Sequence, residues 1–212
     1  MDSSDLYRDV TDFAHTTPGW VRSLAEAWTT SGLLVFGALF LLVWWRARTR
    51  GDGAMALAVL APLATAVAYV ASEVAKSGVH EERPCRAVSG ALAPLVPCPA
   101  SGDWSFPSNH SVIAGAAAVA LALAVPRLAL LTVPLALLMA FSRVFVGVHY
   151  PHDVAMGLLL GASVGALVVL ALTGPVRRII RSARTGGGRA AVLFTGPGPA
   201  PRGRTVPGLP LP

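Results

Sequence analysis

Five apolar runs, at 27–45, 54–75, 111–125, 128–146 and 154–172, dominate this sequence. Most approach the roughly 17–25 residues with which an α-helix crosses a bilayer. Hydrocarbon offers the backbone no hydrogen-bond partners, so continuous runs of this kind cross it only as helices. Charged residues make up 13% of the 212 residues and hydrophobic ones 54%, whereas soluble domains carry about a quarter charged. Mean hydropathy is +0.60. These values predict an all-α, polytopic membrane helical bundle of about five spans in one domain at 26–174. The third run reaches across only if its polar start at Ser108 and His110 belongs to the helix.

The flanks differ in kind. Residues 1–25 are too charged for a cleavable signal peptide. Leu6, Val10, Phe13 and Ala14 recur there at helical spacing, which predicts a short amphipathic helix lying at the outer interface. Trp20 and Trp28 suit an aromatic belt. Residues 175–212 are rich in arginine, glycine and proline and read as a disordered cytoplasmic tail.

The net charge of +6 invites a nucleic-acid reading, but its distribution argues against one. Arg46, Arg48 and Arg50 follow the first run, and Arg177, Arg178, Arg181, Arg184 and Arg189 follow the last. That is the positive-inside pattern of a bacterial-type plasma-membrane protein, with added attraction to anionic headgroups. Threading five spans from a cytoplasmic 46–50 loop puts the N-terminus outside and the tail inside. Three polar clusters then share the external face: Lys76 with Arg83-Pro84, Pro107-Ser108-Asn109-His110, and Ser142-Arg143 with His149 and Asp153. Cys85 and Cys98 lie in the same external loop. An oxidising compartment lets them pair, a bond worth about 3 kcal/mol in the chain-entropy model; two unpaired thiols are the alternative. Two cysteines without a matching pair of ligands do not complete a tetrahedral metal shell.

The clusters combine three cations, two imidazoles and a carboxylate, the set required for phosphoryl transfer through histidine without metal. Lys76 and Arg83 are seven residues apart, and both can meet one phosphate. Ser108 is a good N-cap for the third span, whose first N–H groups form an anion site beside His110. Pro151 suits the first position of a helix, leaving Asp153 in the first turn to accept from the His149 ring and set its tautomer. Glu73 can neutralise Lys76 or Arg143 or be structural. Glu81 and Glu82 are positioned to repel a doubly charged substrate or tune selectivity. His80 and His152 read as ordinary interface residues.

Together these residues resemble the type 2 phosphatidic acid phosphatase superfamily, the membrane lipid phosphate phosphatases. Its signature is Lys-x6-Arg-Pro, Pro-Ser-Gly-His and Ser-Arg-x5-His-x3-Asp. It is matched at Lys76, Arg83, Pro84, Pro107, Ser108, His110, Ser142, Arg143, His149 and Asp153. Asn109 stands where the family has glycine; its backbone N–H remains available, and its side chain narrows the pocket. The 144–153 stretch further resembles bacterial undecaprenyl-diphosphate phosphatases. The resemblance implies His149 as nucleophile, His110 as acid and base, Asp153 orienting His149, and Lys76, Arg83, Ser108, Asn109 and Arg143 holding phosphate. It also implies no metal and no cofactor. Soluble vanadate haloperoxidases share the motifs, and the five spans argue against them.

The expected substrate is a polyprenyl diphosphate in the outer leaflet. Phosphatidic acid, phosphatidylglycerol phosphate or a decaprenyl-linked sugar phosphate are alternatives within the family. A lipid-phosphate carrier without chemistry is the alternative from another class, and it has no need of two histidines. The partners implied are the lipid phosphate and the bilayer, with no nucleic acid.

Overall fold

The computed structural model describes residues 3–186 and 188–199. Among these the regular elements are helices. In chain order they are α1 (Ser4–Thr16), α2 (Gly19–Ser31), α3 (Leu33–Ala47), α4 (Asp52–Val79), the single turn α5 (Pro84–Ala87), α6 (Asn109–Ala124), α7 (Ala129–Phe145), α8 (Pro151–Gly186) and α9 (Arg189–Thr195).

Three to four of the five expected spans meet the length and apolarity of a membrane crossing. Three helical segments, Asp52–Ala87, Pro126–Phe145 and Pro151–Gly186, are long and apolar enough to cross a membrane. The first apolar run is not one rod: α2 and α3 meet at a 51° bend and make a fourth span only as a pair. The bend falls at Gly32, where an added Cβ would sit 2.5 Å from the Trp28 carbonyl oxygen. The third run is α6, whose 16 residues rise about 24 Å, short of a hydrocarbon core of about 30 Å.

α6 is the buried axis of the bundle. Ala114, Ala116, Ala117, Ala118 and Ala120 are all buried, as expected of a helix apolar on every side. α4 and α8 flank it, and small residues let the backbones approach closely. A Cβ on Gly161 of α8 would lie 2.0 Å from the Val112 carbonyl oxygen of α6, and one on Gly157 would lie 2.8 Å from that of Ser108. This contact brings the start of α6 against the start of α8, where the Ser108 N–H donates to the Asp153 carbonyl at 3.2 Å.

The two arginine-rich segments meet at the other end. Arg184 Nη1 bonds the Arg50 carbonyl at 2.8 Å and Asp52 Oδ1 at 2.9 Å, and Arg48 bonds the Leu193 carbonyl at 2.8 Å. Asp52 and Lys76 are 24 positions apart on α4, about 36 Å of helix. The tail expected to be disordered from 175 is therefore helical through Gly186 and again over Arg189–Thr195. The composition was read without these contacts: Arg184 also donates to the Thr195 carbonyl at 2.6 Å, tying the tail to the bundle. Residues 200–212 lie outside the described residues.

The N-terminal amphipathic helix forms, with a different inner stripe. Tyr7, Thr11 and Ala14 are buried, while Leu6 and Phe13 are more than half exposed. The Tyr7 hydroxyl donates to the Gly147 carbonyl at 3.0 Å, so α1 docks over the α7–α8 turn.

The α6–α8 contact makes a size-sensitive test. Gly161→Leu should cost at least about 2 kcal/mol through overpacking. Gly174→Ala, whose Cβ meets nothing within 4 Å, should melt at or above the wild-type temperature. Thermal unfolding in detergent compares them, and equal melting would refute the packing account.

Candidate active site

The turn between α7 and α8 aims the central histidine inward. Gly147 takes φ 84°, the left-handed conformation that ends a helix. Its N–H bonds the Val144 carbonyl at 2.9 Å, and the Val148 N–H bonds that of Arg143 at 3.2 Å. Pro151 then opens α8, leaving His149 in the turn with 1% exposure.

Arg83 Nη1 lies 2.9 Å from His149 Nε2. A guanidinium has no acceptor, so Nε2 is the acceptor and the neutral ring carries its proton on Nδ1. That nitrogen faces Asp153 Oδ2 at 3.2 Å. The same oxygen accepts from Ser105 Oγ at 2.5 Å and the Tyr150 N–H at 2.8 Å, which holds the carboxylate in one orientation. Burial first, and then the charges of Arg83 and Arg143, push the His149 imidazole well below its ordinary pKa.

The cations converge from separate elements. Lys76, Arg83 and Arg143 are 7%, 3% and 8% exposed. His110, at the start of α6, lies within electrostatic range of all three and of His149. Arg143 Nη1 is anchored on Thr29 Oγ1 at 2.8 Å. Its Nε and the Ser108 hydroxyl are buried without a hydrogen-bond partner among the described residues. Ser108 occupies the N-cap position, yet its side chain makes no capping bond, so the expected cap role falls to backbone geometry alone. Buried donors without acceptors beside buried cations fit an anion. Ser142 turns back onto the Met139 carbonyl at 2.8 Å, a structural contact.

Asn109 and Glu73 explain one another. Asn109 Oδ1 accepts from Ser72 Oγ and its Nδ2 donates to Glu73 Oε1, both at 2.6 Å. The Asn109 side chain is thus drawn toward α4. Glu73 pairs with it rather than with Lys76 or Arg143, the two partners sequence had offered.

Sequence reasoning missed three residues. Asp103 receives Lys76 and Arg83. Although its partial burial pushes upward, hydrogen bonds and charge from those cations outweigh it and hold its carboxyl below the usual range. Ser105 braces Asp153. His152, read as an ordinary interface residue, has Nε2 3.0 Å from Glu81 Oε1 and 3.3 Å from Asp153 Oδ1, and Ser3 Oγ meets its Nδ1 at 2.7 Å. Glu81, His152 and Asp153 are also the group among the described residues whose ligand atoms lie close enough to share a metal ion. None of the three carries a spacing signal. Cys85 and Cys98 form a disulfide.

An apolar groove between α2 and α7, lined by Leu24, Trp28, Leu138, Phe141 and Phe145, reaches Ser142 beside Arg143.

The model of the PAP2 superfamily matches residues 57–176, which contain all three clusters. The chain belongs to the PAP2 superfamily. An undecaprenyl-diphosphatase from Sulfolobus acidocaldarius is 39% identical over 115 residues, 53% of this chain and 54% of that protein. A decaprenylphosphoryl-5-phosphoribose phosphatase from Mycobacterium tuberculosis is 41% identical over 111 residues, 50% of this chain and 58% of that protein. The chain thus spans just over half the length of these curated relatives. The crystal structure of a PAP2-type phosphatidylglycerolphosphate phosphatase from Bacillus subtilis superposes with TM-score 0.60 at 23% identity, covering 82% of this chain and 87% of that one. This PAP2 chain therefore shares that protein's fold.

The depressed His149 basicity has a stability consequence. Between its folded pKa and the unfolded value of about 6.5, the unfolded chain binds the extra proton, so stability falls as pH drops below about 6.5. The slope should approach ~1.4 kcal/mol per pH unit for one proton. His149→Gln should lower the slope by about one proton's share in melts between pH 5 and 7.5, and an unchanged slope would place the titration elsewhere.

Proposed function

We propose that this chain is a metal-independent membrane lipid phosphatase that removes the terminal phosphate of a polyprenyl diphosphate through a phosphohistidine. One observation carries the reading. A buried, neutral His149 is oriented by Asp153, and its Nε2 meets Arg83, with Lys76 and Arg143 within electrostatic range and Arg143 Nε buried without an acceptor among the described residues.

In this reading Lys76, Arg83, Arg143, Ser108 and the Asn109 backbone N–H bind the phosphoryl oxygens and stabilise charge in the transition state. Arg83 releases His149 Nε2, whose lone pair forms the N–P bond as the bridging P–O bond breaks. Once the negative charge of the bound substrate offsets the neighbouring cations, His110 takes up a proton and gives it to the departing lipid phosphate. Asp153 holds the Nδ1 proton and stabilises the positive ring. His110 then takes a proton from water, whose oxygen attacks phosphorus and frees His149 and inorganic phosphate. Three cations supply the charge that metal provides elsewhere.

The undecaprenyl-diphosphatase name of one relative and the apolar groove between α2 and α7 support a long-chain lipid diphosphate. A decaprenyl-linked sugar phosphate is the second reading, favoured by the mycobacterial relative of similar identity. The site is proposed to face outward, with the C-terminus cytoplasmic. The support is that both arginine-rich segments gather at the end of α4 remote from Lys76.

Phosphate release from a panel of lipid phosphates tests the chemistry. His149→Ala should abolish turnover and His110→Ala slow it by at least ~10²-fold. Wild-type activity should survive a chelator and stop with vanadate. Near wild-type turnover in the His149 variant, or chelator loss restored by Mg²⁺, would sink the mechanism.

Orientation has its own readout. Ser101→Cys, in a background lacking Cys85 and Cys98, should react with an impermeant thiol reagent on intact cells. Labelling only after lysis overturns the outward site.

A further inference from the structure

The cations assigned to phosphate already hold an anion from this chain. Asp103 Oδ1 lies 3.2 Å from Lys76 Nζ and 3.0 Å from Arg83 Nη2. Arg83 Nε also donates to the Asp103 backbone carbonyl at 2.8 Å. One aspartate thus covers a whole edge of the guanidinium. The cations are buried, but the Asp103 side chain is 49% exposed, so it reaches them from the open side.

The loop carrying Asp103 is built to hold it there. The Cys85–Cys98 disulfide ties down the stretch just before it, and Arg86 grips the Pro99 and Ala100 carbonyls. The Asp103 N–H bonds the Ala100 carbonyl at 3.1 Å, and the Ser105 N–H bonds that of Glu81 at 2.7 Å. Gly102 supplies the turn with φ 88°.

Arg83 carries the effect further. While Nη2 and Nε hold Asp103, Nη1 donates to His149 Nε2 at 2.9 Å. A lone pair engaged by a guanidinium is not free to attack phosphorus.

We propose that Asp103 is a built-in competitor for the phosphate site and sets its charge threshold. The proposal rests on the phosphatase reading of this site. An incoming group must displace a carboxylate from Lys76 and from Arg83 Nη2, while Nε and Nη1 keep their backbone acceptors on Asp103 and Val148. Phosphoryl oxygens then compete with His149 Nε2 for Nη1. A phosphomonoester or diphosphate brings two or more negative charges and several oxygens, and it wins that exchange. A phosphodiester headgroup, the bulk constituent of a phospholipid bilayer, brings one charge and loses. Asp103 is therefore a specificity-determining residue that keeps abundant membrane lipids out of a site facing them.

The test compares wild type with Asp103→Asn, each as full-length protein in detergent, and follows inorganic phosphate binding by calorimetry. Removing the competitor should tighten phosphate affinity roughly tenfold, the factor by which the occupied state depresses apparent affinity. The variant should also become sensitive to competition by phosphatidylglycerol vesicles, which spare wild type. Unchanged or weaker phosphate binding would overturn the proposal and make Asp103 a brace for the cations. Hydrogen exchange on wild type needs no variant: phosphate should speed exchange across 100–104, and slowed or unchanged exchange there counts against displacement. An active enzyme with unaltered phosphate affinity in the variant removes the competitor and leaves the phosphatase reading standing. Tighter binding without turnover on any lipid phosphate does the reverse.

Discussion

Three cations held inside an apolar bundle form the constraint to which the rest of the structure answers. Burying one unpaired charge costs several kcal/mol, and Lys76, Arg83 and Arg143 are each at most 8% exposed. The surroundings share that cost unequally. Asp103 meets two of the cations at their open edge, Thr29 anchors Arg143, and His149 takes one donor of Arg83. Among the described residues, Arg143 Nε and the Ser108 hydroxyl are buried without a hydrogen-bond partner. Unmet hydrogen-bonding capacity on a buried cation suits the arrival of an anion.

Holding such a cluster demands a rigid frame, and the small residues of α6 and α8 provide it. With no side chain at Gly157 or Gly161, the two helix starts meet backbone to backbone. Ser108 and Asp153 are then linked directly rather than through long side chains. Around this core the polar groups brace one another in layers. Ser105 and the Tyr150 N–H fix Asp153, Asp153 fixes His149, and α1 closes over the turn through Tyr7. Asn109, the departure from the family pattern, is accommodated because Ser72 and Glu73 on α4 satisfy both ends of its amide.

Much of this was readable from residue types and spacing. Apolar run lengths specify membrane helices because hydrocarbon allows few alternatives. The four-residue step from His149 to Asp153, with Pro151 between, specifies a ring and a carboxylate on one helix turn. The α2–α3 bend was not readable, since it falls at Gly32, inside a run that no charged residue interrupts. Nor was the helical course beyond Pro175, which depends on Arg184 meeting Asp52 and Thr195 from elsewhere in the chain.

Hydropathy and motif spacing are local quantities, so the residues alone mark a helical membrane protein and single out the histidines, cations and carboxylate expected to share a site. Tertiary structure alone decided what those groups do to one another at rest. Asp103 reaches Lys76 across 27 positions, Ser105 reaches Asp153 across 48, and Arg83 reaches His149 across 66. No periodicity encodes a contact over such separations. Only the packed bundle, by bringing loop and helix ends to one point, sets which donor meets which acceptor.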